Sequence, residues 1–175
     1  MAEALEPALP PDVDRLVQAV LRQACDRGLK LVTAESCTGG LLASLLTDVP
    51  GMSHAFERGF LTYTNAAKHE MLGVPHAVLD GPGPVSKASA MAMAEGALER
   101  AHGDLAASIT GFTEDGPNEP GGLVHFACAG KGRPTAHRVM LFGDVGRAEV
   151  RIRALEVALG MMLDQMLQSP GAHAA

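Results

Sequence analysis

At 175 residues, 47% of them hydrophobic, the chain has the size of one domain and enough apolar material for a sizeable core. A net charge of −6, only 3% aromatic residues and scattered rather than clustered basic residues exclude a nucleic-acid stripe and a base-stacking platform. No apolar run is long enough to span a bilayer, and three cysteines (Cys25, Cys37, Cys128) without a CxxC pair argue against a disulfide framework and a zinc site.

The opening "MAEALEPALPPDVDR" is acidic and lacks the positive n-region of a signal peptide, so the expected compartment is the cytoplasm. Residues 1–10 read as a flexible lead-in, 11–168 as a single domain and 169–175, "SPGAHAA", as a frayed tail. "PPDVDRLVQAVLRQACDRG" is predicted as a helix: Val13, Leu16, Val17, Val20 and Leu21 recur at helical spacing and Gly28 stops it. "LKLVTA" follows as a short buried strand, "CTGGLLASLLTDVPG" as a helix ended near Pro50-Gly51, and "GFLTYT" as a second strand with Tyr63 at its end. "NAAKHEMLGV" is a short helix capped by Thr64 or Asn65, and "SKASAMAMAEGALERAHG" a helix capped by Ser86. "LAASIT", "GLVHFACAG" and "TAHRVMLF" read as strands, and "GRAEVRIRALEVALGMMLDQMLQ" as a long final helix with an apolar stripe through Val150, Leu155, Leu159 and Leu163. Interleaved helices and strands predict a three-layer α/β/α sandwich. The short GKGRP turn forces its two strands antiparallel, so the sheet of about five strands is mixed though mostly parallel.

The chemistry concentrates in "LVTAESCTGGLLASLL", residues 31–46. A strand, a tight corner and a helix start put Ser36 at the carboxyl end of the sheet, where open α/β sheets bind ligands. The backbone N–H groups of Cys37, Thr38, Gly39 and Gly40 would face an anion or a developing oxyanion there. The glycines let a ligand approach the backbone. Two readings of Ser36 stay open on these residues alone: a nucleophile, or, like Thr38, a helix cap. Cys37 reads either as a rival nucleophile or as a small buried apolar residue. A serine nucleophile needs a base. Lys68 in "FLTYTNAAK" falls in the first turn of a helix, where the macrodipole disfavours its charge, and burial would lower its pKa further. A neutral lysine is a competent base. The other reading of Lys68 is a solvated surface lysine, and of Tyr63 a core residue with its hydroxyl at the rim.

These residues match a known family. "TAESCTGG" (33–40), "FERGFLTYTNAAKHEMLGV" (56–74), "GPVS" (83–86), "SITG" (108–111) and "GDVGRAEVR" (143–151) resemble the CinA C-terminal domain family, which includes bacterial nicotinamide mononucleotide amidohydrolases. The resemblance implies a three-layer fold and a Ser/Lys amidohydrolase of pyridine nucleotide recycling, converting nicotinamide mononucleotide to nicotinic acid mononucleotide and ammonia. Ser36, Lys68 and Tyr63 take the positions of the family's catalytic motif residues. Cys37, Thr38, Gly39, Gly40, Thr110, Gly111 and Arg151 form the implied substrate-binding set. Arg151 is expected to bind phosphate or to order the site, a solvated face being the other reading. No cofactor and no metal are expected, and the histidines lack metal-ligand spacing such as HxxxH on one helix. His54, His69 and His76 read as surface residues. The expected partner is a small nucleotide, with neither nucleic acid nor membrane, in a homo-oligomer. Met161, Met162, Met166 and Leu167 on the last helix read as core or as a self-association face.

One departure stands out. Where the family usually carries a glycine-rich "GIAGPxGG" run, this chain reads "GFTEDGPNEPGG", with Glu114, Asp115 and Glu119. Like charges ~4 Å apart cost roughly 4 kcal/mol at an effective dielectric near 20. The carboxylates therefore point away from a bound phosphate, or the substrate differs, or the domain is a catalytically inactive nucleotide-binding or interaction module.

Overall fold

The structure is a computed structural model and describes residues 9–168. The expected lead-in and tail lie, except for residues 9 and 10, outside the described residues. The first helix, α1, spans Pro11–Arg27 and stops at Gly28, whose left-handed φ of 62° ends the helix. Strand β1 covers Leu31–Glu35 and is buried throughout. Helix α2 covers Leu41–Thr47, β2 Phe56–Leu61, α3 Asn65–Leu72, α4 His76–Asp80 and α5 Lys87–Glu99. Strands β3 (Leu105–Gly111), β4 (Leu123–Gly130) and β5 (Ala136–Leu141) precede the long helix α6, Arg147–Leu167.

The five strands form one sheet in the order β2-β1-β3-β4-β5. Strand β1 pairs parallel with β2 and β3, while β4 pairs antiparallel with β3 and β5. Four strands thus point one way and β4 alone runs against them, giving the mixed, mostly parallel sheet of an α/β/α sandwich. Side-chain alternation on the strands assigns the layers. Leu31, Leu105, Ala107 and Ile109 pack with Val13 and Val17 of α1, Leu42 and Leu45 of α2, and Leu155 and Leu159 of α6. Val32, Ala34 and Ala106 face the other way, onto Leu72 of α3, Leu79 of α4 and Met93 of α5. The methionines of the last helix are resolved in favour of the core: Met161, Met162 and Met166 are buried, and only Leu167 is exposed.

Two boundaries that shape the site differ from expectation, and one helix was not expected. The helix predicted from Cys37 starts only at Leu41, because Gly39 and Gly40 adopt left-handed φ values of 65° and 94° that open a turn ahead of it. The strand predicted as 59–64 is Phe56–Leu61, so Tyr63 lies beyond its end. Helix α4 has no counterpart in the sequence reading: five residues are too few to show a period.

Candidate active site

The site grows out of two strand ends. One last rung on each side of β1 extends the parallel ladders: the Ser36 amide donates to Ile109 O at 3.0 Å, and the Thr62 amide donates to Glu35 O at 2.8 Å. Those bonds fix the Ser36 and Thr62 backbones before the chain turns away. After β1 it turns to α2 on one face, and after β2 to α3 on the other. The crevice opens where the connections diverge, at the carboxyl ends of the strands.

Thr64 caps α3, its hydroxyl accepting from the Ala67 amide at 3.1 Å. Lys68 therefore sits one residue deeper than an Asn65 cap would place it. It is 2% exposed, among the largest of the fully buried side chains, and Ser36 is 7% exposed. Lys68 Nζ lies 3.1 Å from Ser36 Oγ and donates to Thr62 O at 2.9 Å. Burial pushes the Lys68 ammonium below its usual range, opposed only weakly by Cys37. A neutral amine that spends one N–H on the Thr62 carbonyl can turn its lone pair to the Ser36 hydroxyl. The Cys37 thiol responds in the opposite sense: burial raises its pKa to about 11, so it is protonated at neutral pH and a poor nucleophile.

The corner after Ser36 is held by Glu35, a residue whose role the sequence does not reveal. Its buried carboxylate accepts from Thr38 Oγ1 at 2.6 Å and from the amides of Gly40, Leu42 and Ala43 at 3.2, 3.1 and 2.8 Å. It thus satisfies the amides at the start of α2 from the strand side, in place of a cap residue within the helix. Gly39 N donates to Ser36 O at 3.1 Å. Of the four amides predicted to face a ligand, Gly39 and Gly40 are thus occupied. Those of Cys37 and Thr38 donate to no other residue among the described ones.

A cavity of about 390 Å³ opens onto Ser36 and Lys68. Cys37, Tyr63, Thr110 and Gly111 line it as well, so six of the ten predicted site residues share one cleft. Thr38, Gly39, Gly40 and Arg151 do not line it. Arg151 instead reaches from α6 to the back of the corner, where Nε donates to Cys37 O at 2.8 Å. It borders a separate apolar cavity with Leu41, Leu45, Ile152 and Leu155. Arg151 therefore touches the turn that carries Ser36 and not the cleft. Tyr63 is 65% exposed at the cleft rim, beside the Arg147 guanidinium, and makes no hydrogen bond to Ser36 or Lys68 among the described residues. Strand β2 ends two residues before Tyr63.

Residues 13–166 match the model of the CinA C-terminal domain. The chain belongs to that family. Among its relatives, the nicotinamide-nucleotide amidohydrolase PncC of Escherichia coli strain K12 is 44% identical over 147 residues, 82% of this chain and 88% of that protein. A CinA-like protein of Akkermansia muciniphila is 43% identical over 165 residues, 93% of this chain but 40% of the longer relative. The chain spans only about two fifths of such longer CinA relatives. The crystal structure of the competence/damage inducible protein CihA from Agrobacterium tumefaciens superposes with a TM-score of 0.87 at 40% identity, covering 91% of this chain and 98% of that one.

Within this CinA domain the three carboxylates of the unusual loop separate. Glu114 pairs with Arg147 at 3.0 Å, and Asp115 Oδ1 accepts the Gly121 amide at 2.6 Å. Both have partners inside the domain. Glu119, on the small Gly116–Glu119 bridge, lines the cleft. Sequence reasoning also passed over Asn65, Phe112 and Thr113 as cleft residues. Asn65 lies inside the recognised motif, whereas Phe112 and Thr113 sit in the segment where the family pattern fails, which left no signal. Among the described residues, no helix is long and apolar enough to cross a membrane.

Proposed function

We propose that this CinA domain is an amide hydrolase that converts nicotinamide mononucleotide and water to nicotinic acid mononucleotide and ammonia. One observation carries the reading: a fully buried lysine, its charge disfavoured by desolvation, 3.1 Å from a serine hydroxyl at the mouth of a cleft. Similarity to the E. coli amidohydrolase supports the substrate class, and the cleft volume falls within the range of small-molecule sites.

In this mechanism neutral Lys68 takes the Ser36 proton as Oγ attacks the carboxamide carbon. The oxyanion forms against the unoccupied Cys37 amide, next to the nucleophile, with the Thr38 amide as second donor. Lys68, now an ammonium, returns its proton to the departing nitrogen, and the C–N bond breaks to release ammonia. Water then attacks the ester carbon and gives a proton to Lys68, which passes it to the departing Ser36 Oγ, freeing the acid and restoring Ser36 and neutral Lys68. Glu35 and Arg151 hold the corner and touch no reacting atom. Tyr63 borders the substrate at the rim.

The test is ammonia release from nicotinamide mononucleotide by the wild type, Ser36→Ala and Lys68→Ala. Release by the wild type, with both variants reduced by at least about 10³-fold, is expected for a nucleophile and its base. Undiminished release from both variants rejects the dyad. Glu119 on the cleft favours one second reading, a non-hydrolytic nucleotide-binding domain. Nucleotide binding without any ammonia release by the wild type would select it.

A further inference from the structure

A second constellation lies on the same face of the sheet as α5, outside the cleft lining. His125 of β4 and His137 of β5 stand diagonally across adjacent strands, with His125 opposite Val139 and His137 opposite Ala127. Nδ1 of His125 and Nε2 of His137 are 3.0 Å apart, and the rings stack with centroids 5.3 Å apart. Both side chains are half-buried, so water and small ions reach them.

We propose that His125 and His137 form an open two-histidine site for a divalent transition-metal ion of the nitrogen-preferring class, with Zn²⁺ as its simplest member. The geometry carries the inference. Two imidazole nitrogens bound at about 2.0–2.1 Å to a tetrahedral ion are separated by about 3.3 Å. The observed pair needs to open by only about 0.3 Å from its 3.0 Å separation to accept one. The hydrogen bond and the stacking between the rings already hold both imidazoles in place, so little ordering entropy remains to be lost on binding. Binding replaces the single hydrogen bond between the rings by two metal–nitrogen bonds, and the nitrogen that donated moves its proton to the far side of its ring. No group of three or more His, Cys, Asp or Glu is placed to hold a metal among the described residues. The remaining positions on the ion would therefore go to water or an exchangeable anion, and the site is of the open kind. Lys87, the charged group whose field reaches His137, opposes a cation and keeps the affinity moderate.

The experiment is titration of the full chain, first stripped with a chelator, with Zn²⁺ against a chromophoric indicator. Cu²⁺ serves as the paramagnetic probe. We expect one ion per chain, weakened at least about tenfold in His125→Ala and in His137→Ala. Copper resonance should show two equivalent-class imidazole nitrogens in the wild type and one in either variant. Lys87→Ala should tighten binding, which keeps the proposal testable if a histidine variant fails to fold. The stacked pair His69 and His76, 3.8 Å between centroids, is the control. Unchanged Zn²⁺ affinity in both His125 and His137 variants, or binding lost only in His69→Ala or His76→Ala, overturns the assignment. None of these readouts depends on hydrolysis, so the outcome is separable from that of the proposed reaction.

Discussion

Arg151 and Cys37 are 114 residues apart in the chain and joined by one hydrogen bond, Arg151 Nε to Cys37 O at 2.8 Å. Through it the last helix holds the turn that carries Ser36, from the side away from the cleft. Arg151→Ala is therefore expected to lower kcat while leaving KM for nicotinamide mononucleotide within about twofold. Arg151→Lys, which keeps the charge but not the planar fork, should recover little. A KM that rises while kcat holds would show instead that this arginine binds the substrate phosphate.

Glu35 should be harder to replace than its distance from the chemistry suggests. Its carboxylate receives four donors, and Glu35→Gln turns one acceptor oxygen into a donor facing another donor. A loss of about 1.5–3 kcal/mol in urea unfolding is expected, with kcat falling further than KM rises. Glu35→Ala leaves the Gly40, Leu42 and Ala43 amides without their partner and should cost more still. A variant as stable as the wild type would mean that water replaces the clasp freely.

Lys68 links activity to pH in a defined direction. Its folded-state pKa is lowered by burial, so the amine becomes available as a base at lower pH than an ordinary lysine. The kcat/KM profile should have a rising limb with a midpoint below the ordinary lysine value of 10.5. Stability follows the same linkage. Below the folded pKa both states hold the proton and the burial penalty is present in full. Between the folded and unfolded pKa values the unfolded chain binds more protons, so stability rises with pH. The wild type should therefore gain stability relative to Lys68→Met as pH rises from neutral toward 10. Parallel stability curves for the two proteins would contradict the lowered pKa.

Cys37 should be nearly inert although it borders the cleft. With a pKa of about 11, only about one thiol in a thousand is ionised at pH 8. Iodoacetamide should leave it unmodified over times that label an exposed thiol completely, as read by mass spectrometry of the digested protein. Cys37→Ala should retain ammonia release within about threefold. Rapid alkylation with loss of activity would restore it as a nucleophile candidate.

Glu119 tests the meaning of the unusual loop. Glu114 and Asp115 are committed to Arg147 and to the Gly121 amide, so Glu119 is the carboxylate of the three that a bound phosphate would meet in the cleft. Glu119→Gln is expected to lower KM for nicotinamide mononucleotide by roughly two- to fivefold, with kcat unchanged, and less so at high salt. A raised KM would mean that Glu119 contacts the substrate favourably.

The features legible in the residues alone were periodic or local. Helix α1 was legible from its apolar spacing, β3 to β5 from their runs and the short turn between the last two, and the cap Ser86, with Thr64 as one of two candidates for α3, from side-chain chemistry acting within three residues. The pairing of "AESCTGG" with "TNAAK" came from resemblance, because spacing alone left Ser36 and Lys68 as a cap and a surface lysine. Only the tertiary structure decided the rest. It buried Lys68 beside Ser36, turned Glu35 onto the start of α2, sent Arg151 behind the corner, and moved Tyr63 out to the rim. The physical reason is common to all four. Each depends on where a strand end stops relative to a helix packed on one face of the sheet, and that position is set by ladder bonds and core packing between segments up to 114 residues apart.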